Sequence, residues 1–308
     1  MNNEQSTPML DSISPSFKAG YVALIGRPNV GKSTLMNALL GQKLSIVTPK
    51  PQTTRHRVLG ILNGKECQII FLDTPGLLIP RYKLQETMVK TARNAIEEAD
   101  VLLFMIEPED KISEANRSIL SELNQSKKPV ILTINKIDLI EKDKLLPIID
   151  HYSQHFNLTS IIPVSAIKAD GLEKLKQLII ENLPVGFPFY PLDMITDQPE
   201  RFFVAEIIRE KIFQKYGEEI PYSTTVTVEE FIEREQGKDY VRAVIYVERA
   251  SQKGIIIGKQ GAALKKVGQI ARAEIELFLG RPVYLELFVK VKEKWRQNEG
   301  ILKELGYK

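Results

Sequence analysis

The chain has 308 residues, 43% hydrophobic and 26% charged, the proportions of a globular chain of about two domains, which excludes a collagenous, a wholly disordered or a membrane-embedded protein. Its 42 Lys and Arg against 39 Asp and Glu leave a net +3, too little to imply a nucleic-acid partner unless the excess is concentrated. The single cysteine, Cys67, excludes an internal disulfide and fits a reducing, cytoplasmic setting.

In chain order, residues 1–18 are rich in Ser, Pro and Asn and lack the apolar run of a secretory signal, so a flexible tail is expected. From 19 to 183, short apolar runs at 21–25, 68–72, 101–106, 130–134 and 160–164 alternate with helical patterns at 33–40, 84–97, 113–124, 144–156 and 171–182. Runs that are apolar throughout, not alternating, are strands covered on both faces. The expected fold class is α/β, a doubly wound, mostly parallel sheet. None of the runs is long enough to span a membrane. Four prolines within 184–199 remove backbone donors and restrict their neighbours, which marks a linker. Beyond it, from 200 to 308, the pattern reads helix (202–215), strand (224–231), strand (240–247), two helices around Gly258–Gly261, strand (282–291) and a C-terminal helix, a smaller α+β domain.

Gly26-Arg27-Pro28-Asn29-Val30-Gly31-Lys32-Ser33 stands between the first strand and the first helix. In that context a G-x-x-x-x-G-K-[ST] pattern cradles phosphates: backbone N–H groups turn inward, the helix dipole favours an anion, Lys32 reaches the outer phosphates and Ser33 offers a hydroxyl to magnesium. Asp73-Thr74-Pro75-Gly76 follows a second strand, so Asp73 can face the magnesium shell and the Gly76 N–H a terminal phosphate. Asn135-Lys136-Ile137-Asp138 follows a third strand. The Asp138 carboxylate can accept from both N1 and the exocyclic amine of guanine, a donor pair that adenine lacks. Ser165-Ala166, after a fourth strand, can close over the base.

The order and spacing of these motifs resemble the translation-factor class of GTPases. That resemblance implies GTP or GDP as ligand with Mg2+, assigns Thr34 to the nucleotide loop, and makes 43–57 a switch whose Thr54 joins Ser33 and Asp73 at the metal. Leu77 occupies the position of a water-orienting glutamine in Ras-like enzymes, and an apolar side chain cannot orient water. The sequence thus resembles the GTPases with a hydrophobic replacement, in which the asparagine at the place of Asn29 helps hold K+ near the phosphates. Asn29, Lys32, Thr54 and Gly76 are then the catalytic set, acting on water that attacks GTP directly.

Between Arg249 and Arg272 lie six basic residues and no acidic one, so this stretch is +6 and the rest of the chain sums to −3. At its centre, Ile257 precedes Gly258-Lys259-Gln260-Gly261, a G-x-x-G turn that lets a nucleic-acid backbone approach closely, with Lys253, Lys265 and Lys266 around it. With the surrounding order of elements, 200–295 resembles a type II KH domain. Lys290, Lys292, Lys294 and Arg296 either extend the basic track or lie on a solvated terminal helix. His151 and His155 are four apart but lack a third ligand, so a metal role is not expected.

A GTPase domain followed by a KH domain resembles the Era family of bacterial GTPases over 19–294. The resemblance implies a ribosome-biogenesis factor that binds the 3′-terminal region of 16S rRNA and not DNA. It also implies assistance to assembly of the small subunit, a monomer, and a cytoplasmic location with a fraction peripherally on the inner membrane. The alternatives are a non-hydrolysing RNA chaperone with a structural nucleotide site, against which phosphate release discriminates, and a P-loop kinase or ATPase, against which Asn135 and Asp138 argue.

Overall fold

The computed structural model describes residues 14–307, and the described chain divides into two compact units. The first holds residues up to Lys43, Val58–Thr74 and Arg93–Asp197; the second holds Leu44–Arg57, Pro75–Ala92 and the chain from Gln198 onward. Two segments flanking the nucleotide motifs in sequence thus belong by contact to the second unit.

The first unit is built on one sheet of β1 (Lys18–Gly26), β2 (Val58–Asn63), β3 (Cys67–Asp73), β4 (Val101–Ile106), β5 (Val130–Ile134) and β6 (Ser160–Pro163), in the order β2-β3-β1-β4-β5-β6. Every pairing is parallel except β2 with β3. This is the mostly parallel, doubly wound sheet expected. β3, β4 and β5 are buried at every position, hence their largely apolar sequence. The helices are α1 (Lys32–Leu40), α2 (Lys83–Glu98, the second unit's through Ala92), α3 (Glu114–Gln125), α4 (Leu145–His155) and α5 (Leu172–Asn182). The Ser113 hydroxyl caps α3 by accepting from the Asn116 N–H.

One boundary needs correction, and two features were not read from the sequence. Residues 1–13 lie outside the described residues, but the tail expected through 18 ends sooner. Phe17 is buried, Lys18 opens β1, and the Lys18 ammonium donates to the carbonyls of Ile180 and Glu181. Strand β2 was not anticipated: Gly60 and a flanking Arg-His-Arg disguise a short edge strand. The Asn63-Gly64 pair before β3 is the hairpin signal that reveals it. The proline-rich segment, finally, is not loose. Gln68, fully buried, donates to the Tyr190 carbonyl and accepts from the N–H groups of Phe189 and Tyr190. Asn63 donates to Met194 O, Ile61 N–H to Ile195 O, and Thr196 Oγ1 to Leu59 O. Prolines deny this segment a ladder of its own, and β2 and β3 supply the partners that its backbone still requires.

The second unit carries α6 (Glu200–Lys215), a one-turn α7 (Ile220–Ser223), β7 (Thr225–Ile232), β8 (Asp239–Val247), α8 (Ala250–Ile257), α9 (Ala262–Leu279), β9 (Val283–Val291) and α10 (Glu299–Glu304). Its sheet runs β7-β8-β9, the first pair antiparallel and the second parallel. Ile208 of α6, Val241 and Ile245 of β8, Ile256 of α8, and Val267 and Ile275 of α9 form one core. The basic cluster around the single tryptophan does not lie on a solvated helix: Lys290 belongs to β9 and Trp295 to a single 3-10 turn. Trp295 is fully buried with Leu84, Met88, Leu302 and Tyr307, and its indole donates to Ser223 O. Lys290, Lys292 and Arg296 are paired with Glu229, Glu304 and Glu248. Among the described residues, no helix is long and apolar enough to cross a membrane.

Candidate nucleotide and RNA sites

A parallel sheet delivers the carboxyl ends of its strands to one edge, and in such folds ligands bind there. Gly26 ends β1, Asp73 ends β3, Asn135 follows β5, and Ser165 and Ala166 follow β6. Between Gly26 and α1 the chain runs through Arg27, Pro28, Asn29 and Val30, with Arg27 and Asn29 exposed and Asn29 at φ 69°. Gly31 caps α1 at φ 98°, and a Cβ there would fall inside the contact distance of Asn135 Nδ2. Only glycine combines that dihedral with that approach.

Asn135 braces the site. Its Nδ2 donates to Val30 O at 2.8 Å, and its Oδ1 accepts from the Ala166 N–H at 3.0 Å. The phosphate loop and the loop after β6 are thus tied through one buried amide. Ser165 Oγ donates to Asp138 Oδ1 at 2.5 Å, fixing a carboxylate that is itself exposed. Lys136, at φ 66°, pairs with Glu107, a partner that the motif alone does not name.

The phosphate end carries charge under stress. Lys32 is 5% exposed, and its Nζ donates to the carbonyls of Arg27 and Gly26 at 3.0 and 3.3 Å. Burial pushes its ammonium down to about 8, against the opposing pull of Asp73. A buried cation with only carbonyl partners suits an arriving anion. Ser33 Oγ donates to Asp73 Oδ2 at 2.6 Å, so a hydroxyl and a carboxylate, the hard oxygen donors magnesium takes, lie side by side. The residues present therefore fit a nucleotide phosphate with magnesium. Thr34 follows in the first turn of α1, half-buried. Thr54 and Gly76 belong to the second unit. Thr54 lies between Thr53, whose carbonyl accepts from Arg209 at 2.5 Å, and Arg55. Gly76 and Leu77 are buried.

In the second unit the G-x-x-G turn joins α8 to α9. Gly258 has φ 71°, and a Cβ there would sit 2.5 Å from that of Ala263; Gln260 and Gly261 also have positive φ. Lys259, Gln260, Lys265 and Lys266 are exposed, whereas Lys253 and Ile257 are half-buried. Beside the turn opens a cavity of about 350 Å³. Leu264, Leu285 and Leu287 line it with apolar surface, Lys265 and Arg272 add charge, and Gly261 and Gly268 leave room. Sequence reasoning counted Arg272 only as charge and did not name the leucines of this floor. Gly268, two helical turns beyond Gly261 on the same face, is the signal that could have found it.

A buried ionic cluster was also missed. Arg55, 2% exposed, donates to the carbonyls of Thr224, Pro221 and Tyr222 at 2.7, 3.0 and 3.2 Å. Arg209 pairs with Glu206 on α6, and His56 stacks on Tyr307 with ring centroids 4.4 Å apart. The sequence reading of 43–57 as a switch gave Arg55 and His56 no partners. His155 Nδ1, of the spaced histidine pair, lies 2.7 Å from His151 O.

A phosphate loop on a doubly wound sheet, with an amide and an acid placed for guanine and a KH unit downstream, defines a P-loop GTPase with an RNA-binding module. A family model described as 50S ribosome-binding GTPase matches residues 21–136, and the KH domain model matches 219–296. GTPase Era of Ruminiclostridium cellulolyticum is 49% identical over 293 residues, covering 95% of this chain and 98% of that one. GTPase Era of Geotalea daltonii is 49% identical over 291 residues, with 94% and 98% covered. An Aquifex aeolicus Era variant bound to GDP and AlF4− is similar at a TM-score of 0.91 with 46% identity, over 94% of this chain and 99% of that one. The same values hold for a structure of Era in complex with MgGDPNP and nucleotides 1506–1542 of 16S rRNA. The chain belongs to the Era family of GTPases.

Proposed function

We propose that this GTPase binds the 3′-terminal region of 16S rRNA through the groove beside Gly258–Gly261 and assists assembly of the small ribosomal subunit. The observation that carries the reading is that groove: an apolar floor for unstacked bases, a glycine turn for the backbone and exposed lysines for phosphates. The Era structure holding nucleotides 1506–1542 of 16S rRNA supports the choice of RNA. Crosslinking to total cellular RNA, wild type beside Gly258→Asp, tests it. Sites at the 3′ end of 16S rRNA should vanish in the variant, and their absence from the wild-type map contradicts the reading.

At the nucleotide site, Lys32 and the first-turn amides of α1 offset charge on the outer phosphates, and Asn135 with Asp138 selects guanine. Ser33, Asp73 and Thr54 are the residues that would hold magnesium, which when bound would offset the charge of the outer phosphates. Asn29 is assigned to K+, which adds positive charge where other systems use an arginine. The Leu77 side chain offers no hydrogen bond and orients no water, and the Gly76 N–H is assigned to the terminal phosphate. GTP orders 43–57 and the segment after Gly76, and RNA affinity follows the nucleotide state. The reading places a monomer in the cytoplasm, with a fraction in peripheral contact with the inner membrane. Those last assignments rest on the resemblance and are tested by sedimentation with and without membranes.

A further inference from the structure

The C-terminal end of α6 touches three things at once within the second unit. The Lys50 ammonium, from the segment Leu44–Arg57, donates to the carbonyls of Phe213 and Tyr216, two acceptors that the helix end leaves without intrahelical partners. Tyr216, half-buried against the core, sends its hydroxyl to Ile256 O at 3.0 Å, in the last turn of α8 just before the G-x-x-G turn. Lys215 Nζ donates to Ala263 O at 2.9 Å, just after the turn. The turn is therefore gripped on both sides by neighbouring residues, and those residues lie where Lys50 caps the helix. The same segment is further fixed to α6 by Glu210, which accepts from the Val47 N–H at 3.0 Å, and by Arg209 on Thr53 O.

From this arrangement we infer that Tyr216 and Lys215 are positioning residues for the RNA-binding turn, and that Lys50 sets them according to the state of residues 44–57. Movement of that segment withdraws or restores two hydrogen bonds at the helix end. Tyr216 and Lys215 pass the change to the carbonyls flanking Gly258–Gly261, which alters the spacing of the turn from α9. The inference rests on the RNA-binding reading above and names the route by which the nucleotide would regulate that site. The two bonds from Lys50 and the bond from the Tyr216 hydroxyl make a contiguous connection to Ile256, with the Lys215 bond beside it, so the contributions of Lys50 and Tyr216 must be non-additive.

The test measures the affinity of full-length protein for a labelled RNA covering the 3′-terminal region of 16S rRNA, with saturating GTP analogue and with saturating GDP. Wild type should show a ratio different from one. In Tyr216→Phe, which keeps the ring and its packing, the ratio should fall roughly threefold to tenfold toward one, the effect of a single hydrogen bond. Lys50→Met should do the same, and the double variant should fall no further. Thermal unfolding of each variant, with hydrogen exchange at the Gly258–Gly261 amides on switching nucleotide, separates lost coupling from lost folding: the exchange change should disappear in Lys50→Met. A wild-type ratio of one overturns the nucleotide-dependent reading and this inference with it. A wild-type ratio that survives unchanged in Tyr216→Phe and Lys50→Met overturns only the inference.

Discussion

Lys32 carries a prediction with a definite sign. Its ammonium sits near 8, not 10.5, because burial penalises the charge. Below pH 8 it is protonated in both folded and unfolded chains, so the burial cost is fully present; between about 8 and 10.5 the unfolded chain holds more protons and that cost is relieved. Nucleotide phosphate favours the charged form, so over the same window binding must take up a proton. GTP affinity should be flat below pH 7.5 and fall by up to about tenfold per pH unit above 8. Titration in buffers of different ionisation enthalpy reads the proton uptake, and a flat profile to pH 9.5 removes this role. Asp138 is tested separately. Asp138→Asn should lower GTP affinity by at least about a hundredfold and favour XTP, since an amide suits the xanthine carbonyl where the carboxylate suits the guanine amine. These residues were legible in the sequence because each motif fixes its own spacing at a strand end. The partners that hold them were not. Nothing local says that the Asn135 amide faces Val30 O, a residue 105 positions away, because parallel strands bring distant segments together.

At the scale of elements, the tie between residues 44–57 and α6 governs stability. Arg55 satisfies three carbonyls while buried. Arg55→Met should therefore cost about 3 kcal/mol in urea unfolding, chiefly from the acceptors left unpaired. His56 is held well below the ordinary value of a histidine. Burial holds it down at about 4, and Arg209 and Arg55 outweigh nothing of that, since they lower it further while Glu206 alone opposes. The unfolded chain binds a proton between about 6.5 and 4 that the folded chain refuses. Stability is lost as pH falls through that window, by up to about 3 kcal/mol. Thermal melts from pH 7 to 4 should show the loss, and His56→Gln should remove it. The long strands and amphipathic helices were readable from periodicity within one or two residues, except β1, which opens three residues earlier than its apolar run. By contrast, α7 is a single turn with no period to detect, and β2 is an edge strand interrupted by Gly60.

At the scale of the whole molecule, the charge is as uneven in space as in sequence. Arg249, Lys259, Lys265, Lys266 and Arg272 are exposed, whereas the basic cluster near Trp295 is paired with acids. RNA affinity should consequently fall with salt at a log–log slope of about −2 to −3, that of three or four phosphates on a single strand, and Lys290→Ala should leave the slope unchanged. The two-domain order was legible because its motifs are local. The membership of 44–57 and 75–92 in the second unit was not, because it depends on hydrogen bonds of 44–57 to Arg209 and Glu210 and on Leu84 and Met88 packing with Trp295, contacts that no local pattern announces. The central claim is that a guanine nucleotide occupies the amides ahead of α1, selected by Asn135 and Asp138. Calorimetric titration of the purified chain with GDP and with ADP in the presence of magnesium tests it most directly. The account predicts saturable binding of GDP with ADP at least about a thousandfold weaker, and equal affinity for the two, or a preference for ADP, would contradict it.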